Sequence, residues 1–174
     1  MTTSPAPLDR TLADWQQASA SELIQHILQR YHERHRQQLP ELVRLARRVE
    51  EVHADRPDCP RGLADHLEGM HRELEGHMQK EEQILFRLIG SGMSPVGLPP
   101  VTVMRLEHED HVQALARMVE LANGLSTPEG ACNTWQTLMA GLRTLHDDLT
   151  QHIALENNVL FEGRNAPEGQ GSAG

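Results

Sequence analysis

Four stretches of this chain set their apolar residues alternately three and four positions apart, and that spacing leaves little choice of fold. The first runs Ile24, Leu28, His32, His35, Leu39, Leu42, Ala46, Val49, and the second Leu63, Leu67, Met70, Leu74, His77, Glu81, Ile84, Leu88. The third is Val101, Met104, His108, His111, Leu115, Met118, and the fourth Trp135, Leu138, Leu142, Leu145, Leu149, His152, Glu156, Val159. This is the period of helices packed nearly parallel, with one apolar stripe each. Three Gly- and Pro-rich stretches, at 53–62, 90–100 and 122–130, break the pattern, and no alternating run marks a strand. The spacing predicts an all-α, up-down-up-down four-helix bundle. Ser19 and Glu22 have capping-box spacing, so the first helix should open near Ser19. Pro40 predicts a kink in that helix. Thr127-Pro128 reads as cap and first-turn proline of the fourth.

The 174 residues suit one domain with short tails. Residues 1–18 and the Gly/Pro/Ser-rich 163–174 are expected to be mobile, leaving the bundle at 19–162. A net charge of -9 argues against a nucleic-acid binder, which needs a basic face. No apolar run reaches a membrane span, and no charged-then-apolar leader opens the sequence. Two cysteines, Cys59 and Cys132, make neither a disulfide framework nor a thiolate metal site. The expected compartment is the cytoplasm.

Eleven histidines stand beside only two Trp, one Tyr and two Phe, so the placement of the histidines is the question. The decamers "HMQKEEQILF" at 77–86 and "HIALENNVLF" at 152–161 share a His, a Glu four places on and a closing Leu-Phe. Residues four apart lie on one helix face. His77 with Glu81, and His152 with Glu156, therefore both point into the seam. The first helix adds His32 or His35 to the same layer, and the third adds His108 or His111.

A lone seam histidine is ordinarily a hydrogen-bonded core residue. Two glutamates and at least four histidines converging in an apolar core are not, because buried carboxylates need positive charge and no seam carries Lys or Arg. A metal ion supplies it. His32 to His77 spans 45 positions and His108 to His152 spans 44, so the chain reads as a helix pair used twice. Two equivalent half-sites imply two metals with both glutamates near the axis as bridges. Mixed imidazole and carboxylate donors suit iron, manganese or zinc. The pairs Glu50-x-x-His53 and Glu68-x-x-His71 lie off the seams and are rejected. The HExxH signature is absent, and neither cysteine sits on the polar layer to serve as a nucleophile.

The segments "YHERHRQQLPEL", "HMQKEEQILF", "EHEDH" and "HIALENNVLF" resemble the haemerythrin-like di-iron domain of the RIC (repair of iron centres) proteins, over roughly residues 20–161. The resemblance implies two iron ions, oxo- or hydroxo-bridged, held by His32, His77, Glu81, His108, His152 and Glu156. It leaves His35 and His111 as supporting or packing residues, and it places Glu107 beside the site. Oxygen-carrying haemerythrins use HxxxH on the third helix and an aspartate five residues after the fourth helix's histidine. This chain has Val112 and Asn157 at those places. Family members usually carry a paired-cysteine domain ahead of the bundle, and this sequence begins past it, which weakens roles resting on those cysteines. They also tend to follow "LF" with proline, where this chain has Arg87 and Glu162.

The function so implied is that of a cytoplasmic stress-response protein that binds, or also reduces, nitric oxide. The alternatives are iron donation to damaged iron–sulfur proteins, and an oxygen- or redox-sensing module that binds dioxygen. No nucleic-acid or membrane partner is implied.

Overall fold

The computed structural model describes residues 10–165 and 167, and among them all regular structure is helical. A short helix α1 (Leu12–Gln16) precedes the first long rod. That rod is α2 (Ala20–Ile27), a π-helical turn at Leu28–His32, and α3 (Glu33–Val52). The second rod is α4 (Leu63–Lys80), a π turn at Glu81–Leu85, and α5 (Phe86–Gly90). The third is α6 (Pro99–Leu121), and the fourth is α7 (Asn133–Leu155) continuing into a π turn at Glu156–Leu160. α3 packs on α4 and α7, and α6 on α4 and α7, closing the up-down-up-down bundle. No helix among the described residues is long and apolar enough to cross a membrane.

The rods begin and end for local reasons. Ser19 accepts from the Glu22 backbone N–H while the Glu22 carboxylate accepts from Ser19 N–H, the expected capping box. α6 starts on Pro99, a residue with no N–H to leave unpaired. The fourth rod does not open at Thr127-Pro128. The chain turns through Gly130 at φ +73° and begins the helix at Asn133, with Cys132 in the cap position. α3 continues through Pro40, and the departure from α geometry in that rod falls earlier, at Leu28–His32.

The packed unit reaches beyond 19–162. Trp15, in the segment expected to be mobile, is buried, and α1 lies against the Glu156–Leu160 turn. Asn165 donates to the carbonyls of Trp15 and Ala18 at 3.1 and 3.3 Å, tying the end of the described chain to its start. Residues 1–9, 166 and 168–174 lie outside the described residues.

The second seam also needs correction. Ile84 is 51 % exposed, and Leu85, Phe86 and Ile89 are buried in its stead. A π turn inserts one extra residue, so every side chain after Glu81 is displaced by one position around the rod. Val159 is at the matching place in the fourth rod and is fully buried, because Trp15 of α1 shares its apolar cluster there. The core therefore forms two apolar blocks. One is built around Leu39, Leu67, Met118 and Leu138, and the other around Trp15, Ile27, Phe86 and Phe161. The polar layer lies between them.

Candidate metal centre

His32, His35, His77, Glu81, His108, His111, His152 and Glu156 are all buried, so both candidates on the first and third rods face inward. The six side chains of the expected ligand set form two groups. His32, Glu81, His152 and Glu156 each offer an atom within 4.8 Å of the others, and so do His77, Glu81, His108 and Glu156. Both glutamates belong to both groups. Their oxygens divide between them: Glu81 Oε2 lies 3.2 Å from His32 Nε2, while Glu81 Oε1 lies 3.2 Å from His77 Nε2. Glu156 Oε1 lies 3.0 Å from His152 Nε2, and its Oε2 3.0 Å from His108 Nε2. Each glutamate thus offers one oxygen to each group.

Three π turns flank this convergence. Two of them start on a shared glutamate, with Phe86 N–H bonding back to Glu81 O and Phe161 N–H to Glu156 O. The third ends on His32. In a plain α-helix, residues five apart diverge around the axis; the extra residue brings Phe86 and Phe161 back over the site. Phe86 stacks on His32 at 5.6 Å and Phe161 on His108 at 5.7 Å. The shared Leu-Phe of the decamers thus walls the imidazoles as well as filling the core.

The layer is electrostatically unfinished. His32 Nε2, both Glu81 oxygens and Glu156 Oε2 are buried without an aligned hydrogen-bond partner. They lie within ion-pair distance of one another, but the angles are poor. Each such group costs about 1–3 kcal/mol left as it is. Burial pushes His32 and His77 down, yet the Glu81 carboxylate close beside them, with help from Glu156 and from hydrogen bonds to Glu82 and Glu107, outweighs it and holds both at about 9. Burial would raise Glu156, but the neighbouring His152 and His108 hold it well below the usual carboxylate range. The pocket attracts positive charge, and the orphaned atoms point where a cation would sit. The donor set fits bound metal.

The outer nitrogens are occupied in turn. His32 Nδ1–H donates to Glu82 at 2.8 Å, His77 Nδ1–H to Glu107 at 2.8 Å, and His108 Nδ1–H to Asn157 at 2.9 Å. These are the partners that orient ligand imidazoles elsewhere. The Glu82 carboxylate is held down to about 2 by His32 and then by Arg36. Lys80 bonds Glu107 from the other side.

A match to the hemerythrin HHE cation-binding domain covers residues 23–162. The iron-sulfur cluster repair protein YtfE of Dickeya chrysanthemi is 51 % identical over 151 residues, 87 % of this chain and 68 % of that one. Those of Pectobacterium atrosepticum and Escherichia coli are 49 % and 48 % identical over 148 residues, 85 % of this chain and 67 % of theirs. The chain belongs to this haemerythrin-like repair family.

Sequence reasoning missed some supports in this family member. Glu82 and Asn157 each follow a shared glutamate by one residue, a signal that was available in the decamers. Asp148, buried and bonded to Arg30 and Arg34, gave no signal at all. The rejected Glu50 has another task, accepting the Gly62 and Ala64 N–H groups at the start of α4. Glu68 pairs with Arg47 on the surface. One Cys–His contact does form, His53 Nε2 to Cys132 Sγ at 3.2 Å, away from the polar layer.

Proposed function

We propose that this haemerythrin-like chain holds two non-haem iron ions through His32, His77, Glu81, His108, His152 and Glu156, and serves the repair of damaged iron–sulfur proteins in the cytoplasm. The observation that carries the two-ion reading is the division of the Glu81 and Glu156 oxygens between two donor groups. Repair is supported by what the relatives are named for.

His32 and His152 with one oxygen from each glutamate would hold one ion, and His77 and His108 with the other oxygens would hold the second. A bound iron pair supplies redox and small-molecule-binding chemistry. The chain's own residues hold and orient: Glu82, Glu107 and Asn157 fix the outer nitrogens, and Phe86, Phe161 and Tyr31 wall the imidazoles against water.

A second reading, nitric oxide binding, is favoured by the apolar walls that Phe86, Phe161 and Tyr31 set around the imidazoles, which suit a small, weakly polar diatomic. One experiment separates them. Anaerobically reconstituted protein is titrated with nitric oxide and, separately, mixed with an iron–sulfur enzyme stripped of cluster activity. Iron transfer with recovery of the acceptor's activity supports repair. Nitric oxide held stoichiometrically, or nitrous oxide released at catalytic yield, with no iron transfer, supports the second reading. Fewer than about two irons per chain would overturn the di-metal centre itself.

A further inference from the structure

Three of the four expected ligand imidazoles have an oxygen acceptor at Nδ1, which by itself fixes Nδ1–H and leaves Nε2 for a metal. His152 does not. Its Nδ1 lies 3.1 Å from another ring nitrogen, Nε2 of His35, and either nitrogen of that contact can carry the proton. We propose that Asp148, acting through Gln38 and His35, fixes the proton of His152 on Nδ1 and so decides whether the His32–His152 half of the centre holds its metal.

The direction follows from what each group can do. Asp148 is buried as a carboxylate, accepting from Arg30 at 2.8 Å and from Arg34 at 2.8 Å. It can only accept, so the Gln38 group that meets it at 2.9 Å is the amide NH2. The Gln38 oxygen then faces His35 Nδ1, at 3.3 Å, and requires a proton there. A neutral His35 with Nδ1–H has a bare Nε2. His152 must donate to it from Nδ1, which leaves His152 Nε2 free on the side of Glu156. A charge at Asp148 thus sets a tautomer three groups away.

Only one half of the centre has this device. His111 stands three residues after His108 as His35 stands three after His32, yet its Nε2 is buried without a partner and its ring meets His77 edge-on at 4.9 Å. The two halves share ligands but differ in what holds them, so they should release metal at different rates. Asp148 and Gln38 are positioning residues in this scheme, and the scheme rests on the metal reading above.

The test uses the anaerobically iron-loaded full chain and measures iron retained against increasing chelator. In Asp148→Asn an amide can face Gln38, which lets the Gln38 group reverse, reverses His35 in turn, and moves the His152 proton to Nε2. One of two irons should bind roughly ten- to a hundredfold more weakly and the other as in the native chain. The double variant Asp148→Asn/Gln38→Glu exchanges carboxylate and amide without changing net charge. It restores an acceptor at His35 and should return retention to within about threefold of native. Gln38→Leu, which leaves Asp148 and both arginine bonds in place, should weaken the same single site, and it decides the matter if Asp148→Asn fails to fold. Native-like retention in the single variants, equal loss from both sites, or no recovery in the double variant overturns the inference. A native chain that does not hold two irons overturns the metal reading instead, and the inference with it.

Discussion

Exchanging the side chains behind His32 and His108 tests whether the outer layer sets metal affinity. Glu82 and Asn157 occupy equivalent places, one residue after each shared glutamate, and each bonds Nδ1 of a histidine on a neighbouring rod at 2.8 and 2.9 Å. Glu82→Gln keeps an acceptor but removes a charge; Asn157→Asp keeps an acceptor and adds one. A carboxylate about 7 Å from a divalent ion is worth roughly 5 kcal/mol at an effective dielectric constant near 20. That figure must be reduced here. The Glu82 side chain is 28 % exposed, and Arg36, at 2.9 Å, already neutralises much of it. The ten- to hundredfold effect typical of such partners, about 1.4–2.7 kcal/mol, is the better measure. Glu82→Gln should weaken one site by about tenfold, and Asn157→Asp should tighten the other by a similar factor. Competition against a chromophoric chelator under anaerobic conditions reads both, with melting curves of the metal-free proteins as the folding control. Affinity within twofold of native for Glu82→Gln, or a weaker site in Asn157→Asp, would refute the reasoning.

Metal loading near neutral pH should release roughly two protons, because His32 and His77 are protonated up to about 9 in the metal-free chain and must be neutral to bind. Affinity should accordingly rise with pH and level off above about 9; calorimetry in buffers of different ionisation enthalpy that shows no proton release counts against the assignment. Trp15→Ala should cost about 3–5 kcal/mol in denaturant unfolding, since Trp15 is buried beside Val159, whereas a mobile N-terminal segment would give no change. The cover that α1 gives the fourth rod is tested by a matched pair at equivalent places after the two π turns: Ile84→Gln should shift stability by less than about 0.5 kcal/mol and Val159→Gln should cost several-fold more, and equal effects would sink the account.

Much of this protein is legible in one dimension because helical periodicity is a local property. A helix repeats every 3.6 residues whatever surrounds it, so the seams of Leu63–Leu74 and Trp135–Leu149 give helix, inward face and bundle together. A His and Glu four apart stay on one face for the same reason. The fold and the convergence of six polar side chains on one layer were therefore present in the sequence, and so was the argument that buried carboxylates need a cation.

What the periodicity could not carry was anything that departs from it or crosses between rods. The π turn at Glu81 shifts Ile84 outward and Phe86 inward, and no spacing rule marks where an extra residue enters. The choice between His32 and His35 depends on which ring nitrogen meets a glutamate on another rod. The link from Asp148 to His152 passes through residues 110 or more positions away, Gln38 and His35, although Asp148 and His152 are on the same rod. Hydrogen bonds of that kind depend on distances of a few tenths of an ångström between helices. Only the packing of the finished bundle sets those distances.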